Sequence, residues 1–278
     1  MHIYRLLKDK TKLSRKRSLH RFKILLKYYG QKTEKIPVFI LTTRRTGSNL
    51  LLDYLNSVPG VSFAPEILNK SMFYGIPGRG ISKPEIFRHI RHSINACAHS
   101  VCGAKLVGVQ MKAHNLSPED LHKLYPQARF ILLYRKSLVE QFVSLKIAEM
   151  TNTWQWSRDF KPPTSLHVSL SDLREHCRSI RSFYEKMLQK RWLTQHCLLL
   201  SYEDLTEDAQ TVFNDSVFPF LRLPATVVRS TMVKQNTRKL RALIENYEEI
   251  RRFMNDPLAR QEHSLETAPV RERLTYAA

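Results

Sequence analysis

The chain has 278 residues, 42% of them hydrophobic, enough to fill the core of one sizeable α/β domain. Lys and Arg number 45 against 25 Asp and Glu, a formal net charge of +20, which directs the surface towards phosphates, sulfates, nucleic acid or anionic lipid. No run of ~18 apolar residues and no signal-peptide core is present, so a membrane-spanning or exported chain is not expected; four cysteines (Cys97, Cys102, Cys177 and Cys197), in neither a CxxC pair nor a dense framework, fit a reduced intracellular protein.

In chain order, residues 1–35 come first, with twelve Lys or Arg against Asp9 and Glu34, so this segment holds +10, half of the whole excess. Leu19, Phe22, Leu26 and Tyr29 recur at helical spacing, which predicts a basic amphipathic helix suited to an anionic membrane surface. A solvated arm fits the same residues. Val38–Leu41 then predicts a strand, and Thr42-Thr43-Arg44-Arg45-Thr46-Gly47-Ser48-Asn49 a polar turn into a helix starting near Gly47. Such a start aims free amides and the positive dipole end at the turn. The hydroxyls of Thr42, Thr43, Thr46 and Ser48 add donors, and Arg45 a forked cation. An ordinary strand-to-helix connection with solvated arginines is the plainer alternative. A Walker ending is absent, because Gly47 is followed by Ser48-Asn49 rather than Lys-Ser/Thr. No strand ends in a carboxylate suited to Mg²⁺, so a P-loop kinase is disfavoured and no metal is expected.

Further along, Glu66, within Val61-Ser62-Phe63-Ala64-Pro65-Glu66-Ile67-Leu68, follows what looks like a second strand. Phe73 to Gly80 holds three of the eight glycines, and Asn152 to His167 holds Trp154, Trp156 and Pro162-Pro163. Irregular aromatic segments of this kind predict a substrate cleft or lid. Ser82-Lys83-Pro84-Glu85 and Ser117-Pro118-Glu119-Asp120 mark helix starts. Lys105–Met111, Phe130–Tyr134 and His196–Leu200 predict three more strands. Strand and helix alternate, which predicts an α/β fold with a mainly parallel sheet, helices on both faces, and ligands at the carboxyl ends of the strands.

Three segments, in order and within roughly residues 36–255, resemble the sulfotransferases that use 3′-phosphoadenosine 5′-phosphosulfate as sulfuryl donor. The resemblance implies a P-loop-type three-layer α/β/α fold. Arg45-Thr46-Gly47-Ser48 falls on the family's 5′-phosphosulfate loop, with Arg44 and Asn49 on either side. The strand ending at Arg135, and Ser144 on the next helix, fall on the Arg and Ser that bind the nucleotide 3′-phosphate in the family. Lys234-Gln235-Asn236-Thr237-Arg238 resembles the late nucleotide-binding loop, which implies Lys234, Gln235 and Arg238 as further ligands. Ser201-Tyr202-Glu203-Asp204-Leu205 is similar to a Tyr-Glu-Asp segment of the family, with Tyr202 either lining the adenine side or packing in the core. Gln141, Val143-Ser144-Leu145, Ala148, Thr151 and Trp154 resemble the bacterial carbohydrate branch, which includes trehalose and nodulation-factor sulfotransferases.

What the resemblance implies is transfer of a sulfuryl group to a hydroxyl of a carbohydrate or glycolipid, with no specific nucleic acid partner. The acceptor hydroxyl must lose its proton as it attacks sulfur, and charge on the bridging oxygen must be stabilised. Glu66, 19 residues beyond Gly47 as in the carbohydrate and protein-tyrosine branches, is the candidate base. His114 is its rival, as His serves in cytosolic branches. The branch often has Gly-x-Lys on its third strand; Gly108-Val109 puts Gln110 at that Lys, whereas Gly103-Ala104 puts Lys105 there, and Lys112 would share a strand face with Gln110. Phe73, Tyr74, Trp154 and Trp156 suit either stacking on sugars or lid packing. The expected layout is a basic arm 1–35, a sulfotransferase domain 36–262 and a tail 263–278. The expected location is cytoplasmic or peripheral to a membrane, with the Golgi lumen disfavoured. A protein-tyrosine acceptor, or a charge-driven binder of nucleic acid or anionic glycan, remains as an alternative.

Overall fold

A computed structural model describes residues 35–70, 75–76, 80–95, 97, 99–154, 160–232 and 238–265. Residues 1–34 of the basic arm, Phe73, Tyr74, Trp156, Lys234, Gln235 and the tail from 266 lie outside the described residues. Five strands, β1 (Ile36–Thr42), β2 (Val61–Ala64), β3 (Val101–Val107), β4 (Arg129–Tyr134) and β5 (Cys197–Ser201), form one sheet in the order β2-β3-β1-β4-β5. β2 pairs with β3 in parallel, Val61 opposite Val101, and β4 with β5 in parallel, Phe130 opposite Cys197. The chain therefore has the expected α/β fold with a mainly parallel sheet. Val38, Phe39, Ile40 and Leu41 are wholly buried, as a central parallel strand covered on both faces requires.

The chain divides into two compact units, one made of Met1–Phe39 and Pro59–Arg129, the other of Ile40–Val58 and Phe130–Ala278. In the first unit, helix α2 (Lys83–Asn95; α1 belongs to the other unit) buries Ile86, Ile90 and Ile94, each four residues apart on one face. It begins where the backbone N–H and hydroxyl of Ser82 donate to the Glu85 carboxylate at 3.0 and 2.7 Å. At its other end the Lys35 ammonium donates to the carbonyls of Ile94, Asn95 and Cys97, a cation on the orphan carbonyls of a helix C-terminus. Helix α4 (Pro118–Leu124) starts in a reciprocal capping box between Ser117 and Asp120, with Pro118 at its first turn.

One expectation fails in this unit. The strand predicted over Lys105–Met111 is β3 at Val101–Val107, and Gly108–Ala113 is helix α3. Past Val107 only Met111 is buried, while Val109 is 54% exposed, so a helical turn hides the one side chain that needs it. Lys112 is exposed on α3, and because Gln110 and Lys112 are both helical they do not share a strand face as expected. Within β3, Gly103 has a close-approach role: a Cβ there would stand 2.0 Å from the Val38 carbonyl oxygen and 2.5 Å from the Phe63 ring.

The second unit contains α1 (Ser48–Asn56), α5 (Leu138–Thr151), α6 (Leu170–Leu188), α7 (Arg191–Thr194), α8 (Tyr202–Val212), α9 (Phe218–Leu221), α10 (Tyr247–Asn255) and α11 (Arg260–His263). A π-helical turn, Phe213–Val217, carries α8 into α9. Serines cap the helices that follow β4 and β5: Ser137 accepts from the Glu140 amide and Ser201 from the Asp204 amide. These caps fix where each helix starts relative to the end of its strand.

Candidate active site

The loop between β1 and α1 is built from the inside outwards. Thr42, Thr43 and Thr46 are buried. Thr42 Oγ1 donates to the Leu133 carbonyl of β4 at 3.0 Å, and Thr46 Oγ1 lies 2.5 Å from Thr42 Oγ1 and 3.1 Å from the Thr43 carbonyl. The threonine hydroxyls expected to face an oxyanion are thus turned into the loop, where burial demands that each find a partner. Gln141 of α5, wholly buried, donates through Nε2 to Thr43 Oγ1 at 2.9 Å and to the Arg44 carbonyl at 2.6 Å. Tyr184 of α6 donates to the Leu133 carbonyl at 2.7 Å and sits 3.3 Å from Thr43 Oγ1. Burial pushes the Tyr184 phenol well up, so it remains a neutral donor. Two helices and a strand therefore clamp a loop of only a few residues.

What the loop presents outward is backbone and arginine. Gly47, at φ 75 and ψ 17, is the N-cap of α1 and supplies no side-chain cap. The ring of Tyr202 lies against it, and a Cβ on Gly47 would stand 2.2 Å from Tyr202 Cδ2. Glycine is required here on two counts, a left-handed backbone and a ring in contact with Cα. Arg135 lies over the same ring, its Cζ 4.8 Å from the Tyr202 centroid. Gly47 and Arg135, from distant parts of the sequence, thus both meet Tyr202.

Arg45 also has a left-handed backbone, φ 63. Its Nε donates to Ser144 Oγ at 3.0 Å and its Nη1 to the Trp154 carbonyl at 2.8 Å. Burial first, and then the Arg135 guanidinium, hold the Arg45 guanidinium below its ordinary value, against an opposing pull from Tyr202. The Arg135 charge thus disfavours the charged form of the partly desolvated Arg45. Arg135, 7% exposed, has carboxylates on its far side: Nη2 donates to Glu140 at 2.5 Å, and Nε stands 3.7 Å from Glu203. Glu203 also accepts from the Lys136 amide at 2.8 Å, which fixes it in place. Burial, the largest influence, pushes the Tyr202 phenol up, with Arg135 opposing. Of the other predicted ligands, Ser48 is buried at the start of α1 and Asn49 is on its first turn, while Arg44 is exposed. Arg238 donates to the carbonyls of Pro163, Thr164 and Ala242.

In the first unit a second constellation surrounds Glu66. Lys105, its side chain 3% exposed, brings Nζ within 3.0 Å of Glu66 Oε1, while Gln110 and Asn69 donate to Oε2 at 2.6 and 2.8 Å. Burial pushes the Glu66 carboxyl up, but Lys105 and the three hydrogen bonds outweigh it, and the carboxyl lies below its ordinary value. Glu66 is therefore an ionised, partly exposed carboxylate with fixed orientation. His114, at the end of α3, has Nε2 3.3 Å from the Leu68 carbonyl, a contact that takes an N–H on that nitrogen. Sequence reasoning did not assign roles to Gln141, Tyr184, Glu140 or Glu203. Gln141 and Glu203 stood within motif segments, but nothing in a linear pattern says that a helical glutamine reaches back to a loop 97 residues earlier.

The fold is a mainly parallel α/β sheet with a tightly clamped loop after β1, and its likeness to known proteins gives the class. Residues 37–227 match the Sulfotransferase family, so the chain belongs to that family and is a sulfotransferase. Nodulation protein H of Rhizobium meliloti is 26% identical over 237 residues, covering 81% of this chain and 94% of the relative; the protein of the same name from strain 1021 is 25% identical over the same coverage. The crystal structure of a sulfotransferase from Alicyclobacillus acidocaldarius aligns with a TM-score of 0.50 at 15% identity, covering 88% of this chain and 96% of that one, a likeness of fold.

Proposed function

We propose that this sulfotransferase moves the sulfuryl group of 3′-phosphoadenosine 5′-phosphosulfate onto a hydroxyl of a carbohydrate or glycoconjugate. The observation that carries the donor assignment is the gathering of Arg45, Ser144 and Arg135 near the helix start at Gly47 and the Tyr202 ring. A nucleotide with anionic groups at both ends has charge for both arginines. Arg45 and the amides from Thr46 to Asn49 hold the phosphosulfate end. Arg135 and Ser144 hold the 3′-phosphate, with Lys234, Gln235 and Arg238 as further contacts and Tyr202 against the nucleoside. Ser144, now an acceptor from Arg45 Nε, passes to the phosphate when the donor binds.

The reaction is an in-line displacement at sulfur. The acceptor oxygen forms the new O–S bond, the bond from sulfur to the bridging phosphate oxygen breaks, and the hydroxyl proton passes to Glu66. Arg45 stabilises charge on the leaving phosphate oxygen. Lys105, Gln110 and Asn69 keep Glu66 ionised and aimed. A carbohydrate acceptor is supported by the likeness of Gln141 to Trp154 to the bacterial carbohydrate branch and by the nodulation-protein relatives. The basic N-terminal residues dock the enzyme on an anionic membrane surface, where a glycolipid acceptor would lie.

The test is transfer from labelled donor to a panel of neutral oligosaccharides, glycolipids and tyrosyl peptides. Labelled sugar is the expected product; label on the peptides alone would replace the carbohydrate reading by the tyrosine one. Glu66→Gln keeps donor affinity and loses turnover by about 10²-fold or more, whereas His114→Ala retains it. Full turnover by Glu66→Gln refutes the base assignment.

A further inference from the structure

Trp154 lies just past the end of α5. Asn152 closes that helix in the left-handed conformation, φ 49, and its side-chain oxygen accepts from the Trp154 indole N–H at 3.3 Å. The neighbouring Thr153 hydroxyl donates to the Thr151 carbonyl at 3.1 Å, and the Trp154 carbonyl accepts from Arg45. The residue is thus held at both its backbone and its indole nitrogen. Yet it is 41% exposed, Met150 one turn back is 59% exposed, and no aromatic ring among the described residues lies against the indole. An indole whose N–H already has a partner has only its apolar faces left to offer, and holding such a face in water is unfavourable unless something covers it.

The position of Trp154 says what that is. Its carbonyl is one hydrogen bond from the guanidinium assigned to the phosphosulfate end of the donor. The exposed ring thus belongs to a residue anchored by its backbone at the proposed donor site, to which the acceptor must also come. We propose that Trp154 is the acceptor-stacking residue, taking the apolar C–H face of a neutral pyranose ring and so favouring sugars as substrates. The inference rests on the sulfuryl-transfer reading above. A pyranose suits the surroundings: its C–H face meets the indole, while its hydroxyl rim turns towards the polar groups around Arg45.

Trp154→Ala and Trp154→Phe test this cleanly, because both keep the backbone carbonyl that holds Arg45. Each variant is assayed with labelled donor and a neutral oligosaccharide, alongside donor affinity by calorimetry and the thermal midpoint. The Ala variant raises the oligosaccharide KM by about tenfold, with donor Kd and thermal midpoint unchanged, and the Phe variant recovers most of the loss. An unchanged oligosaccharide KM in Trp154→Ala overturns the proposal and leaves the transfer reading intact. A donor Kd that weakens in step with KM also overturns it, since the residue would then act by supporting Arg45. Wild-type enzyme that transfers to no oligosaccharide defeats the carbohydrate reading, and this inference with it.

Discussion

Lys105 sets the protonation state of Glu66, because burial alone would drive that carboxyl up and only the ammonium at 3.0 Å and its amide partners bring it down. A depressed carboxyl pKa means the ionised base persists below the ordinary carboxylate range. The stability gained from the pair is likewise present above that range and lost as pH falls through the folded value. In Lys105→Met the charge is gone while burial remains, so the acidic limb of the kcat/KM profile shifts upward. A pH–rate series on both proteins reads this directly, and a limb that stays in place says that another group titrates. The motif residues Arg45, Arg135 and Ser144 were legible as chemistry in the sequence. Their contacts were not: a long guanidinium reaches many partners, and only the packed helices α5 and α6 decide that Arg45 meets Ser144 and Trp154. The loop threonines show the same limit, since their side-chain direction depends on Gln141 and Tyr184 closing over them.

At the scale of elements, the strand β1, the helix start at Gly47 and the serine-led helices were legible, because each is marked by local chemistry: an unbroken apolar run, a left-handed glycine, a cap with its partner three residues on. The end of β3 was not. Leu106, Val107, Val109 and Met111 read as an extended run, but past Val107 only Met111 is buried, and the helical turn that hides it also lets Gln110 reach Glu66. Gly103 carries the close packing of this region. Gly103→Ala destabilises by roughly 2–3 kcal/mol in urea unfolding, because the new methyl meets backbone oxygen that has no room to move. Gly60→Ala, where a Cβ meets nothing within 4 Å, costs only about 1 kcal/mol from its positive φ. Equal losses in the two variants would refute the packing argument.

At the scale of the whole molecule, charge is spread unevenly along the chain. Half of the +20 lies in residues 1–35, just ahead of the region that matches the family from residue 37. No helix among the described residues is long and apolar enough to cross a membrane. Deleting residues 1–34 leaves donor affinity unchanged and removes binding to anionic vesicles, each Lys or Arg near such a surface contributing about 1 kcal/mol. Vesicle flotation checks the second half, and undiminished flotation of the truncated protein contradicts the arm's role. In the proposed donor site the charges at stake are those of Arg45 and Arg135.

Calorimetric titration with 3′-phosphoadenosine 5′-phosphate, the product left by the donor, tests that pair most directly. The wild-type protein binds it, Arg45→Ala and Arg135→Ala each lose about 2 kcal/mol, roughly thirtyfold in Kd, and Arg45→Ala retains the wild-type thermal midpoint. No heat from the wild type, or equal affinity in all three proteins, would contradict the assignment of the clamped loop to this nucleotide.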